Sequence, residues 1–231
     1  MAGVFRGDFG TSFRNDAPIT REVTARFLHT LHLSFVTLLF SLLLAVPVGI
    51  IAAIKRNTWV DKMSMLIALI GISIPVFLLG WLLAPLWLGL GLSRLWPSAI
   101  TLGTAMLSAM IYSTRSSVLE AMEQNYIRAA KAKGLSGGKI IRKHILPNIV
   151  IPMLASFKAN LGVFFTGIFI VESFFGWPGI GFLMRMGISA NDFPVVLGSL
   201  LMFILFFAFI NFAVDIAKAF ADPVMRRGRL C

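Results

Sequence analysis

The sequence predicts an all-α membrane protein, a polytopic bundle of five transmembrane helices with a long polar loop on its cytoplasmic side. Three observations carry that expectation. Of 231 residues, 58% are hydrophobic and 13% charged, against about 45–50% and about 25% in soluble domains. Five apolar stretches, near 28–54, 63–90, 99–119, 149–171 and 195–220, each meet the roughly 20 residues that a helix needs to cross a bilayer core of about 30 Å. The lysines and arginines, finally, fall mostly on alternate sides of those stretches.

Residues 1–27 carry Arg6, Arg14, Arg21 and Arg26 with no early apolar run, so they form a polar flank and not a cleavable signal peptide. Pro47, Pro75, Pro85 and Pro152 lie in or near spans, where a lost backbone donor is expected to bend a helix and not end it. Basic residues stay on the cytoplasmic side. Fourteen of them, from Lys55, Arg56 and Lys62 through the 115–143 region to Lys218 and Arg229, collect on one side, and six on the other. This places the C-terminus in the cytoplasm and the basic N-terminal flank outside. A positively charged flank sent outward without a preceding helix is unusual.

The same count assigns the net charge of +11 to lipid headgroups or an acidic protein partner. Nucleic acid is excluded as a partner, because 21 Phe against 2 Tyr suit lipid better than a wet stacking platform. Cys231 is the only cysteine, which rules out an intrachain disulfide or a Cys-rich metal centre. His29 and His32 lack a carboxylate or thiolate at ligand spacing, so no metal site is expected. No Gly-x-x-x-x-Gly-Lys-Ser/Thr loop occurs, and no catalytic constellation shares a membrane depth. The chain therefore reads as a transport or channel protein without an enzymatic site or bound cofactor of its own.

The one long polar excursion, 116–147, has helical order. Val118, Met122, Tyr126 and Ala129 or Ala130 recur at three- or four-residue spacing, predicting a helix that continues out of the third span. Gly134 suits a left-handed helix stop, Ser136 suits the next N-cap, and Ile140, Ile141 and Ile145 supply a second apolar face before Pro147. Two readings fit this elbow: a helix pair seated in a groove of another protein, or a basic amphipathic segment lying on anionic lipid.

Tyr126-Ile-Arg128-Ala129-Ala130-Lys-Ala-Lys-Gly134 followed by His144-Ile-Leu146-Pro147 resembles the EAA loop of ATP-binding-cassette importer permeases, in the form typical of the dipeptide/oligopeptide/nickel branch. Arg128 stands where the general motif has Glu, and His144 where it has Ile. Gly7 to Ser12, Val171 to Gly181, Asp192 to Val196 and Asp222-Pro223 are similar to other segments of that family, so the likeness spans the chain. The resemblance implies a permease in the bacterial inner membrane, with the transmembrane domain at 28–231, the ATPase-coupling loop within 116–147 and an external loop at 172–194. It implies two ATP-binding subunits that consume ATP, a second homologous permease and an external solute-binding protein. It implies a coupling role for Tyr126, Arg128, Ala129, Ala130, Gly134, His144, Leu146 and Pro147. Family members have six helices, so the resemblance also suggests that this chain starts after the first. Peptides lead the expected cargo, with nickel chelates, opines and glutathione-like solutes beside them.

Lys158 and Asn160 lie in the fourth span and Glu172 at its outer end. For Lys158, snorkelling or pairing with another helix competes with a place on the translocation path. For Glu172, a structural ion pair or helix-end hydrogen bond competes with substrate contact. Asp215 and Lys218, three apart, are expected to pair within one helix. The alternative function is an autonomous channel or secondary carrier, although a carrier should show paired acids inside its spans.

Overall fold

The computed structural model describes residues 9–91 and 93–221, with the side chain of Leu88 outside the description. Gly7-Asp8, Asp222-Pro223 and Cys231, all named above, lie outside the described residues. The helices are α1 (Ile19–Ile54), α2 (Trp59–Ser73), α3 (Val76–Gly89), α4 (Leu95–Glu123), α5 (Asn125–Ala132), α6 (Gly137–Ile140), α7 (Leu146–Phe175), α8 (Ile180–Ser189) and α9 (Phe193–Ala221). A five-residue π-helical turn, Ile141–Ile145, joins α6 to α7.

Each expected span is helical, with one correction. Pro47, Pro85 and Pro152 are held inside α1, α3 and α7, as bending prolines in mutually packed helices can be. The second expected span is instead interrupted at Ile74 and Pro75, leaving α2 of 15 and α3 of 14 residues. Pro75 biases Ile74 away from helical backbone. Each arm reaches only about 22 Å at 1.5 Å per residue. Among the described residues, four helices are long and apolar enough to cross a membrane, and five crossings result only when the two arms count as one broken span.

The chain divides into two compact units. The first comprises Met1–Phe40, Ile74–Gly103 and Gly162–Ile210. Its apolar centre joins Ile19, Val23, Leu183 and Val195, with Phe9 and Met202 packed against them. Phe165 also meets Phe206 and Phe207 with ring centroids 5.0 and 5.3 Å apart, a spacing at which edge and tilted aromatic contacts are favourable.

The second unit comprises Ser41–Ser73, Thr104–Leu161 and Asn211–Cys231. Here helices approach closely because their facing residues are small. A Cβ on Gly71 would overlap the hydroxyl of Ser108 on α4. Asp61, almost fully buried at the start of α2, accepts from Nε and Nη2 of Arg115 at 2.6 and 2.8 Å and from the Asn57 backbone N–H at 2.9 Å. This bidentate pair ties the α1–α2 turn, where Asn57 has φ +64°, to α4.

Candidate coupling elbow and external hydrogen-bonded loop

The elbow belongs to the second unit. α4 stops at Glu123, Gln124 is extended (φ −70°, ψ 146°), and α5 restarts at Asn125. That single extended residue shifts the helical phase, which corrects the expected stripe. Ile127 and Ala130 are buried, whereas Tyr126, Arg128 and Ala129 are exposed. No periodicity in the sequence marks Gln124 as a break.

α5 closes as a Schellman motif. The N–H of Gly134 donates to Lys131 O at 2.9 Å, and that of Leu135 to Ala130 O at 3.3 Å, with Gly134 at φ +74°. Gly134 thus has the left-handed backbone its sequence position suggested, and a Cβ there would meet no neighbour within 4 Å. Ser136 occupies the N-cap position of α6, but its hydroxyl makes no capping bond. Ile140 and Ile145 are buried, while Lys131, Lys133, Lys139, Arg142 and Lys143 are exposed. His144 and Leu146 are half-buried and Pro147 exposed. Pro147 has no N–H for the carbonyl four residues back, and it is the second residue of α7, which begins where the π turn ends. The Asn148 side chain donates to the Tyr126 hydroxyl at 3.2 Å and to His144 O at 2.7 Å, fastening the start of α5 to the start of α7. Asn148 has no motif signal in the sequence.

In the same unit Lys158 on α7 contacts both carboxylate oxygens of Asp215 on α9, at 2.5 and 2.6 Å. This corrects the expected Asp215–Lys218 pair and places Lys158 in a helix-to-helix pairing. Asn160 donates to Ser156 O on its own helix at 2.8 Å.

The first unit holds the other candidate, Glu172, whose side chain is fully buried. Thr30 on α1 donates its hydroxyl to Glu172 Oε1 at 2.8 Å and accepts the Ile180 N–H at 2.9 Å. The Gly181 N–H donates to Oε2 at 2.7 Å. Any Cβ on Gly179 would overlap the carboxylate. Both oxygens are thus engaged by the chain itself, which favours the hydrogen-bonded structural reading over substrate contact. Trp177 continues the fastening, with Nε1 donating to His29 O at 3.0 Å and its ring edge-on to His29 and His32. The two histidines therefore pack on an indole. Among the described residues no group of three or more His, Cys, Asp or Glu is placed to hold a metal ion.

Also in this unit, Asp192 accepts from the Ser12 hydroxyl and from the Phe13 N–H. Burial pushes its carboxyl up, but the hydrogen bonds from Ser12 and from backbone N–H groups outweigh burial and hold it below the usual carboxylate range. A 180-residue separation hid this latch from sequence reading.

Long apolar helices, a span broken at Pro75 and an exposed basic elbow define a polytopic membrane protein of the transporter class. The chain belongs to the family of binding-protein-dependent transport system inner membrane components, which matches residues 45–227. It is similar to the glutathione transport system permease protein GsiC of Salmonella typhimurium, at 36% identity over 96% of this chain and 76% of that protein. GsiC of Escherichia coli strain K12 is 35% identical over 98% of this chain and 77% of that one. Its fold is similar to that of the MetNI methionine ABC transporter in an inward-facing conformation, with TM-score 0.72 and 20% identity over 87% of this chain and 96% of that one. An amino acid ABC transporter shares the fold at TM-score 0.61 and 13% identity, over 86% of this chain and 94% of that chain. The chain is a multi-pass inner-membrane permease component of an ABC importer, a class that works with ATPase and solute-binding partners.

Proposed function

We propose that this permease carries peptides or related small solutes, glutathione-like tripeptides among them, and is driven through the 126–147 elbow by two ATP-binding subunits. A second homologous permease completes the pathway, and an external solute-binding protein delivers the cargo. This chain binds no cofactor; ATP is used by the partners. The cargo class follows the relatives named for glutathione transport.

The observation that carries the coupling role is the outward face of α5. Ala129 and Gly134 are exposed without bulk, so another backbone can come close, and Ile127 and Ala130 anchor the helix from behind. Basic residues Arg128, Lys131 and Lys133 surround this face, which supports a cytoplasmic elbow and C-terminus and an external 172–194 loop. Driven movement of such an anchored helix is the kind of bistable repacking by which bundles switch access.

Gly134→Asp tests it. Asp tolerates left-handed backbone better than most residues, at a strain of about 1–2 kcal/mol, and its Cβ would meet no neighbour within 4 Å among the described residues. We predict normal membrane insertion and helicity with ATP-driven uptake reduced about tenfold or more, the scale on which an interface hot spot acts. Uptake at the parent rate would remove the elbow from the mechanism.

A further inference from the structure

The first unit contains a cavity of about 720 Å³ between the 12–26 segment and α8. Its border has two unlike parts, the basic side chains of Arg14, Arg21 and Arg26 and the apolar ones of Leu183, Met186 and Val195. The two acids on the border are engaged within the chain. Asp192 accepts from the Ser12 hydroxyl and the Phe13 N–H, and Glu22 accepts from the Asn15 side chain at 3.2 Å. No ion pair among the described residues uses Arg14, Arg21 or Arg26. Arg26 lies 5.8 Å from the centroid of the Phe182 ring, which Arg185 also approaches at 4.8 Å, and stacking of this kind leaves the edge of a guanidinium free to donate. Exposed Asp16 is the remaining acid nearby in sequence.

The packing of the segment sets its depth. Ile19 and Val23 lie against Gly198 of α9, where an added Cβ would come within 2.6 Å of Ile19 Cγ2 and 3.8 Å of Val23 Cγ2. Gly198 stands about 8 Å into α9, counted at 1.5 Å per residue from Phe193. Ser12 and Phe13 are latched to Asp192, the residue before that helix. The arginines are therefore carried beside the first turns of a membrane span, at the level of the headgroup layer, which is about 5–7 Å deep. Phe13 and Phe193, at this same end, are 76% and 68% exposed. Bare aromatic rings beside open guanidiniums suit a bilayer surface, where apolar groups enter the acyl boundary and basic groups reach the headgroups.

We infer that this cavity binds the headgroup of an anionic phospholipid, with Arg14 and Arg21 donating to its phosphate oxygens, Arg26 flanking them, and the apolar border meeting the start of its acyl chains. The orientation proposed above makes this the outer leaflet, although the site requires only that this end of the unit lie at a bilayer surface. Arginine matches phosphate oxygens with paired N–H donors, and a free phosphate ion would satisfy that match equally. A free ion makes no use of Leu183, Met186 and Val195, whereas a phospholipid uses both parts of the border. A headgroup with net negative charge fits better than a zwitterionic one, whose ammonium would join three guanidiniums that already lack an ion-pair partner.

The test uses the assembled transporter purified in detergent, with dioleoyl phosphatidylglycerol as probe and native mass spectrometry to read its binding. Arg14→Gln with Arg21→Gln should raise the Kd of the tightest-bound phosphatidylglycerol about tenfold or more, and Arg14→Lys with Arg21→Lys should keep most of the affinity because the charge remains. Phosphatidylethanolamine should bind the parent more weakly, and excess inorganic phosphate should leave phosphatidylglycerol in place. A Gln-variant Kd within about twofold of the parent would overturn the site, as would equal affinity for phosphatidylethanolamine. Displacement by inorganic phosphate would assign the arginines to a free anion and overturn the lipid. The parent protein gives a second readout that needs no variant to fold. In nanodiscs, a phosphatidylglycerol with a diazirine near the ester end of one chain should crosslink within 13–28 or 183–197, and unlabelled phosphatidylglycerol, not phosphatidylethanolamine, should suppress the crosslink. Crosslinks confined to other segments, or suppressed equally by both lipids, would overturn the site.

Discussion

At the scale of single residues, Glu172 shows how a buried carboxylate can be structural. Its two oxygens take the Thr30 hydroxyl and the Gly181 N–H, and Thr30 also holds the Ile180 N–H. Thr30→Val leaves a carboxylate oxygen and a backbone N–H without partners in a buried site, at about 1–3 kcal/mol for each. We predict a lower melting temperature for purified Thr30→Val in detergent and near-complete recovery in Thr30→Ser. Equal melting of all three proteins would remove Thr30 from the fastening. Glu172 is conspicuous in sequence as the acid ending an apolar span. Thr30 is not, because a hydroxyl there is equally suited to helix packing.

Asp192 adds a pH dependence whose sign follows from its lowered carboxyl. A depressed folded value contributes stability above the unfolded value of about 3.9, and that contribution is lost as pH falls through the folded value. After correction for intrinsic rates, amide exchange at 12–15 should stay slow from neutral pH down to about 4 and accelerate below it. Asp192→Asn should exchange fast already at neutral pH. Protection that ignores both acid and the substitution would contradict the latch.

Among elements, α7 and α9 are joined by Lys158 and Asp215, whose side chains remain 35% and 54% exposed. An unpaired charge in a membrane span is expensive, so Lys158→Ala should lower yield and melting temperature more than Lys158→Ala with Asp215→Ala does. A double-mutant cycle measures this, and strict additivity would show the contact to be idle. Helix positions were readable because apolar runs of bilayer length are unmistakable. The interruption at Pro75 was not, since a proline in a packed bundle bends or breaks a helix according to which neighbours take up its freed carbonyl. The stop at Gly134 was readable because a left-handed position favours glycine. The inward turn of Ile127 was hidden, since one extended residue at Gln124 resets the helix phase without any compositional mark.

For the whole molecule, the basic residues Arg56, Arg115, Arg128, Lys131 and Lys143 belong to the second unit, and Arg14, Arg21, Arg94 and Arg185 to the first. Within the second unit exposed basic residues gather on the elbow, at Arg128, Lys131, Lys133, Lys139, Arg142 and Lys143. Family membership was legible from the 126–147 motif, whereas no residue of the chain specifies its cargo. The central claim, that transport by this chain is driven from outside it through the elbow, is tested most directly by uptake into proteoliposomes. Purified permease is reconstituted with and without its ATPase subunits, its partner permease and the binding protein, and labelled tripeptide uptake is measured with and without ATP. The account predicts uptake only from the complete assembly with ATP, and its loss in Gly134→Asp. ATP-independent uptake by the purified chain alone would contradict it and favour an autonomous carrier.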